Sequence, residues 1–163
     1  MPKTINMRLS AESIDHTIER LKRYEQTMRN KGLEICRRLA IQCEVRVSIG
    51  FDSALYDGEK HYSVSVKKID NGYAVQANGE TVLILEFGAG ITFGSGHPQA
   101  DEFGYGPGTY PGQTHAMDPR GWWIPRSRGG GHTFGNPPSM AMYNAAKVTR
   151  EAVERVAREV FGS

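Results

Sequence analysis

Residues 88–137 are the part of the sequence that most constrains the fold. They are crowded with glycine, proline and aromatic residues and show almost no periodic apolar pattern. A segment of that length without regular structure is unusual inside a compact domain, where it is normally either functional or disordered. Its aromatic residues argue against simple disorder, because such side chains need a surface to bury against.

These aromatic residues are the candidate contact residues. A chain of 163 residues builds one modest core and leaves little spare surface to cover further rings. A neighbouring subunit would provide that surface. The sequence therefore predicts subunit or partner contacts at Phe93, Phe103, Tyr105, Tyr110, Trp122, Trp123 and Phe134.

The two adjacent tryptophans have two possible roles. Trp122-Trp123-Ile124-Pro125 is typical of a short extended edge segment, in which neighbouring side chains point to opposite faces. One role is packing onto the sheet of the same chain. The other is an aromatic anchor in a pocket of a partner. The sequence leaves both open.

Composition and charge exclude few classes of protein. Hydrophobic residues make up 39% and the net charge is +2, so charge alone indicates neither a nucleic-acid nor a membrane partner. Cys36 and Cys43 lie seven residues apart in a helical pattern, too far to form a disulfide, which predicts free thiols in a reducing compartment. No signal-peptide pattern or membrane-length apolar run is seen, and we expect a cytosolic protein.

The first part of the chain is predicted to be helical over residues 10–43. Ser10 is a plausible N-cap, and apolar residues recur at helical spacing on both sides of Gly32. Because glycine costs nearly 1 kcal/mol in a helix interior, a kink or break is expected at Gly32.

The pattern then becomes that of antiparallel strands over residues 44–87. Apolar residues alternate with polar ones in the first strands, and Asp70-Asn71-Gly72 is a strong hairpin turn. The last strand is nearly continuously apolar, which predicts a central position in the sheet. The predicted strands cover residues 44–51, 61–69, 73–77 and 81–87.

A second helix is predicted over residues 138–161, with Ser139 as its N-cap after two prolines and opposite charges four residues apart on its outer face. The chain is thus predicted to be a single domain, residues 1–163. Its expected class is α+β: a long N-terminal helix and a C-terminal helix pack as one layer on a short antiparallel β-meander. A long Gly/Pro/aromatic arm, residues 88–137, interrupts this body.

Residues for catalysis or metal binding are few. No histidine pair or cysteine has zinc spacing, and Ser95 lacks the context of a nucleophile elbow. Three arm histidines could converge with arm carboxylates as a small hydrolase, although ordinary loop hydrogen bonds are the simpler interpretation. The residues concerned are His97, His115, His132, Asp101, Glu102 and Asp118. We predict no catalytic residue, cofactor or metal.

A nucleic-acid-binding module is a second alternative. Arg126-Ser127-Arg128-Gly129 resembles an Arg-Gly segment beside two possible stacking residues. The arm, however, carries three arginines and three acids, whereas an arm that binds nucleic acid would have a one-sided charge.

The sequence on both sides of the arm resembles the HK97 gp10-like tail-component family of tailed phages. The resemblance is carried by Glu86-Phe87-Gly88-Ala89-Gly90 before the arm, and by Gly135-Asn136-Pro137-Pro138 with Met140-Ala141-Met142-Tyr143 after it. It implies a structural protein of the virion, also present in the host cytoplasm during assembly. Such a protein completes the tail at the head–tail junction as an oligomeric ring. Implied partners are further copies and other neck and tail proteins, with no membrane, and with DNA only as cargo passing through.

Overall fold

The computed structural model describes residues 10–93, 96–104, 115 and 117–162. Its helices and strands, in chain order, are α1 (Ala11–Ser53), β1 (Ser63–Ile69), β2 (Gly72–Asn78), α2 (Val82–Phe87), β3 (Trp122–Trp123), β4 (His132–Thr133) and α3 (Ala141–Gly162). Short 3-10 turns lie at Asp101–Phe103 and Arg126–Arg128. The predicted α+β class is confirmed.

Helix α1 begins as the sequence predicts and continues further. The Ser10 hydroxyl accepts a hydrogen bond from the Ser13 N–H, which is N-cap geometry. The helix then runs without interruption to Ser53, so the predicted break at Gly32 is wrong.

The predicted strand over residues 44–51 is also wrong, because this segment is the last part of α1. Val47 and Phe51, four residues apart, are completely buried on one helix face, while Val45 and Ile49 are exposed. Apolar residues do alternate with polar ones in this segment. However, the two that pack in the core, Val47 and Phe51, are four residues apart, which is the spacing of a helix and not of a strand.

Strands β1 and β2 form an antiparallel hairpin in which Ile69 pairs with Gly72 across the loop Asp70-Asn71. The predicted turn is therefore confirmed. The third strand, over residues 81–87, is wrong: this segment is the short helix α2, and the expected meander is a two-stranded hairpin. A short apolar run is equally compatible with a strand and with a buried helix, so the spacing of its apolar residues does not distinguish the two.

The core lies where α1, α3, α2 and the hairpin meet. Helices α1 and α3 run antiparallel, with Lys31 near Val160 at one end and Gly50 against Ala141 at the other. The principal buried cluster consists of Val47, Phe51, Leu85, Ala141 and Ala145. A second cluster joins α1 to the later turns of α3 through Leu39, Val156 and Val160.

Cys36 and Cys43 are free and half-buried, as predicted from their spacing. None of the helices in the described residues has both the length and the apolar character needed to cross a membrane.

Candidate functional site

The two ends of the arm meet at the body of the protein. Ala89 and Asn136 exchange two backbone hydrogen bonds, each 2.9 Å between nitrogen and oxygen. The Asn136 side chain is buried and donates to the carbonyl oxygens of Ile84, at 2.9 Å, and Pro137, at 3.2 Å. We call this junction the arm base. It brings together the two sequence segments on which the family resemblance depends.

Gly135 allows the two chain segments of the arm base to approach this closely. Its φ is +98°, a conformation that side chains with a Cβ rarely adopt. A Cβ at this position would lie 1.9 Å from the carbonyl oxygen of Ala89. The glycine is therefore required by the space as well as by the backbone angle.

Glu86 connects the arm base to the start of α3. Its side chain is buried, and its carboxylate accepts the backbone N–H groups of Met142, at 2.8 Å, and Tyr143, at 3.0 Å. These N–H groups belong to the first turn of α3, where intrahelical acceptors are lacking and the helix dipole favours a negative charge. The predicted N-cap, Ser139, is wrong, because α3 begins at Ala141 and the carboxylate that satisfies its first turn comes from α2.

His97, an arm residue, is also held by Glu86. Its Nε2 lies 3.1 Å from Oε1 of Glu86, and its Nδ1 accepts the backbone N–H of Gln99 at 3.1 Å. Because Nδ1 is an acceptor, the ring proton lies on Nε2 and is donated to the carboxylate. The ring also contacts Phe87 and Tyr143, with centroids 4.3 and 5.5 Å away. All the side-chain polar atoms of this buried pair are hydrogen-bonded within the chain, so the arrangement fixes the arm to α3.

A half-open cavity of about 450 Å³ lies beside this pair. Phe103 is on its wall, with its ring 5.7 Å from that of Phe87, and is 57% exposed. The cavity is also lined by His97, Met142, Tyr143, Lys147 and Arg150. The predicted contact residue Phe103 therefore lies beside the cavity.

The other end of the described arm is a short ribbon formed by β3 and β4. Trp122 pairs with Thr133, and Trp123 pairs with His132. Trp123 is 74% exposed, and its ring contacts His132, which in turn contacts the half-exposed ring of Phe134. We call Trp123, His132 and Phe134 the aromatic row.

The two tryptophans each adopt one of the roles that the sequence left open. Trp122 is half-buried, and its ring lies against the backbone at Gly90, so it packs on its own chain. Trp123 points outward with the aromatic row. The expectation that adjacent side chains of an extended segment point to opposite faces fits this arrangement.

Three contacts attach the ribbon to the body. The Thr133 hydroxyl donates to Asp57 at 2.6 Å, and the Glu59 N–H donates to the carbonyl of Arg128 at 3.2 Å. Arg128 also forms an ion pair of 3.2 Å with Glu80. Within residues 117–136 of the predicted arm, the only strands are Trp122–Trp123 and His132–Thr133, and these three contacts hold them on the body.

The remaining predicted contact residues are dispersed. Phe93 is about half exposed, before the first gap in the described residues. Tyr105 and Tyr110 lie outside the described residues, as does Ser95. The structure thus brings Trp123 and Phe134 together and leaves Phe103 at the separate cavity.

The histidines and charges of the arm do not form a metal site in the described residues, which contain no group of three or more His, Cys, Asp or Glu side chains arranged to hold an ion. Arg120 and Asp118 pair with each other, and hydrogen bonds from Arg120 lower the pKa of the Asp118 carboxyl. Since Arg128 pairs with Glu80, two of the three arm arginines have acidic partners within the chain.

The sequence indicated His97 only as one of three arm histidines of a possible hydrolase, and it did not indicate Glu86 or Asn136 as site residues. The signal was a single carboxylate inside an apolar run, which must be paired once it is buried. Comparisons with protein-family models, with curated proteins and with solved structures find no match to this chain.

Proposed function

We propose that this chain is a structural protein of a tailed phage or prophage virion, joining or completing the tail at the head–tail junction as part of an oligomeric ring. The observation that carries the proposal is the aromatic row, which stands exposed on a ribbon held to the body by contacts at Asp57, Glu59 and Glu80 and, just after its second strand, by the arm base. The family resemblance supplies the virion context, and the segments that carry it are those that build this attachment.

The aromatic row has the properties of a protein-binding surface. Exposed aromatic residues on a fixed support lose little conformational entropy on binding and are enriched at interface hot spots. Trp123 is the largest of these, and its exposure of 74% leaves most of the side chain available for burial. The proposed occupant is a neighbouring subunit or the next ring.

A ring also requires that each subunit present two different surfaces. A heterologous contact closes into a ring when its rotation closes. In the proposed mechanism the body of α1, α3 and the hairpin sets the subunit geometry, and the aromatic row reaches from one subunit to the next. DNA passes through such a ring as cargo, and the protein itself is not expected to be an enzyme or to need a cofactor.

The test is deletion of the gene from its phage or induced prophage, followed by negative-stain electron microscopy of the lysate. Filled heads and free tails lying apart, rejoined when the gene is supplied on a plasmid, are the expected result. Intact infectious particles from the deletion would overturn the proposal.

A further inference from the structure

The first half of α1 extends beyond the rest of the described fold. Helix α1 has 43 residues, and the end of α3 lies beside Lys31, whose Nζ donates to the carbonyl of Val160 at 3.0 Å. Residues 11–30 form about 30 Å of helix that projects past α3, except for the last turn, where Thr27 and Asn30 line a pocket with Val160. We call this segment the free half of α1.

The free half carries an apolar seam at alternating steps of four and three residues. Ile14, Ile18 and Leu21 on this seam are 38, 43 and 48% exposed. Glu25 interrupts the seam, and Met28 follows one heptad after Leu21. The steps are those of the a and d positions of a coiled coil.

The same seam continues into the body, where a helix covers it. Gly32 occupies the next seam position, and Ile35 and Leu39 follow it. Leu39 belongs to the buried cluster formed with Val156 and Val160 of α3, and Ile35 packs against that cluster. Helix α3 runs antiparallel to α1. The seam thus already packs against an antiparallel helix in the body, and the free half presents its uncovered continuation.

Most of the stability of helices in proteins comes from packing of an apolar face, and the free half leaves such a face exposed. We propose that the free half of α1 pairs with the free half of a second copy, antiparallel and about a two-fold axis. In this register Ile18 lies opposite Leu21 of the second copy, Ile14 opposite its Glu25, and Ala11 opposite its Met28. The register uses the whole free half and ends where α3 begins to cover the seam.

Charge selects this register over its alternatives. Asp15 and Lys22 flank the seam on the same side, and the antiparallel register places Asp15 opposite Lys22 of the second copy, twice by symmetry. Shifting the register by one heptad in one direction would place Lys22 opposite Lys22 of the second copy, and shifting it in the other direction would place Asp15 opposite Asp15. Either shift brings like charges together. A parallel pair would place two Glu25 side chains in one seam layer.

The pair is expected to be weak, because a contact of about five helical turns buries less than a standard protein interface. It is independent of the proposed ring, since it rests on α1 alone. It describes how free chains associate with one another in solution.

The test is sedimentation equilibrium of the purified full-length chain over a concentration series at low salt, where exposed ion pairs are least screened. A reversible dimer is expected. Lys22→Glu and Asp15→Lys should each weaken it at least tenfold, and the double variant Asp15→Lys/Lys22→Glu should restore the dissociation constant to within threefold of the original.

The matched control is Arg23→Glu, an identical change of charge one residue away on the face opposite the seam. It should alter the dissociation constant by less than twofold. Lys22 also pairs with Glu19 on its own helix, but both are exposed and the contact is worth little. Circular dichroism checks that each variant keeps its helix. A chain that stays monomeric at millimolar concentration, a double variant that fails to restore the dimer, or an Arg23→Glu effect equal to that of Lys22→Glu would each overturn the proposal.

Discussion

The Glu86 carboxylate and the His97 imidazole lie buried together, with Oε1 and Nε2 3.1 Å apart. The same carboxylate accepts two backbone N–H groups of α3, so one side chain holds the arm and the helix in place. We expect Glu86→Gln to lower the free energy of unfolding by about 2–4 kcal/mol. The glutamine amide carries no charge, and its NH₂ group would face N–H groups that now donate to the carboxylate. Urea denaturation at neutral pH measures it.

The matched control for this substitution is Glu151→Gln, which makes the same chemical change on the exposed face of α3. Its free energy of unfolding should stay within about 0.5 kcal/mol of the original. Equal effects of the two substitutions would mean that the Glu86 contacts contribute nothing specific.

Substitutions at Gly135 and Gly131 can distinguish a glycine required by lack of space from a glycine required by its backbone angle alone. Both have positive φ, +98° and +105°, but a Cβ at Gly135 would lie 1.9 Å from Ala89 O, whereas a Cβ at Gly131 would meet nothing within 4 Å. Gly131→Ala should cost about 1–2 kcal/mol, the strain of the backbone angle alone. Gly135→Ala should cost clearly more, because the arm base must open. Thermal unfolding of both variants checks the order, and equal costs would contradict a tight arm base.

Gly32 and Gly50 lie in the same helix and should respond with opposite signs. A Cβ at Gly32 meets nothing within 4 Å, so Gly32→Ala should stabilise the protein by about 0.5–1 kcal/mol through helix propensity. A Cβ at Gly50 would lie 2.6 Å from the Cβ of Ala141, so Gly50→Ala should push α1 away from α3 and destabilise the protein. Chemical denaturation of both variants gives the signs. A stabilising Gly50→Ala would contradict the close packing of these helices.

Features that depend on local chemistry were predicted from the sequence, and those that depend on distant contacts were not. The N-cap at Ser10 and the hairpin loop at Asp70-Asn71 follow from properties of single residues and neighbours. The helical state of residues 44–51 and 81–87 is decided by which side chains meet the core, and a short apolar run does not carry that information.

The same distinction between local chemistry and distant contacts holds for the candidate site. The exposed aromatic residues could be proposed from composition, because rings without a core of their own need a surface. The buried contacts of Glu86 could not, since its partners lie eleven residues away at His97 and more than fifty away at Met142 and Tyr143. The pairing exists only once the arm has returned to the body.

Tyr62 should make stability fall in alkaline solution. Burial, followed by its hydrogen bond to Asp52, raises the pKa of Tyr62 from 10.0 to about 12. Because the folded pKa is the higher one, this stabilisation is complete below pH 10 and is lost as the pH rises toward 12. Phenolate absorbance should show that Tyr62 titrates late. Tyr62→Phe should abolish that step and reduce the loss of stability between pH 10 and 12, and an unchanged loss would contradict the assignment.

Trp123 should matter for assembly and not for folding. Because its side chain is 74% exposed, Trp123→Ala should change the free energy of unfolding by less than about 0.5 kcal/mol. If the aromatic row is the anchor of a neighbouring subunit, the same variant should reduce the yield of joined particles at least tenfold, since interface aromatic residues cost 2 kcal/mol or more when truncated. Leu55→Ala, which removes a side chain of 71% exposure outside the arm, is the control and should leave the particle yield unchanged. A normal yield with Trp123→Ala and with Trp123→Ala/Phe134→Ala would show that assembly does not use the aromatic row, even if the protein belongs to the virion.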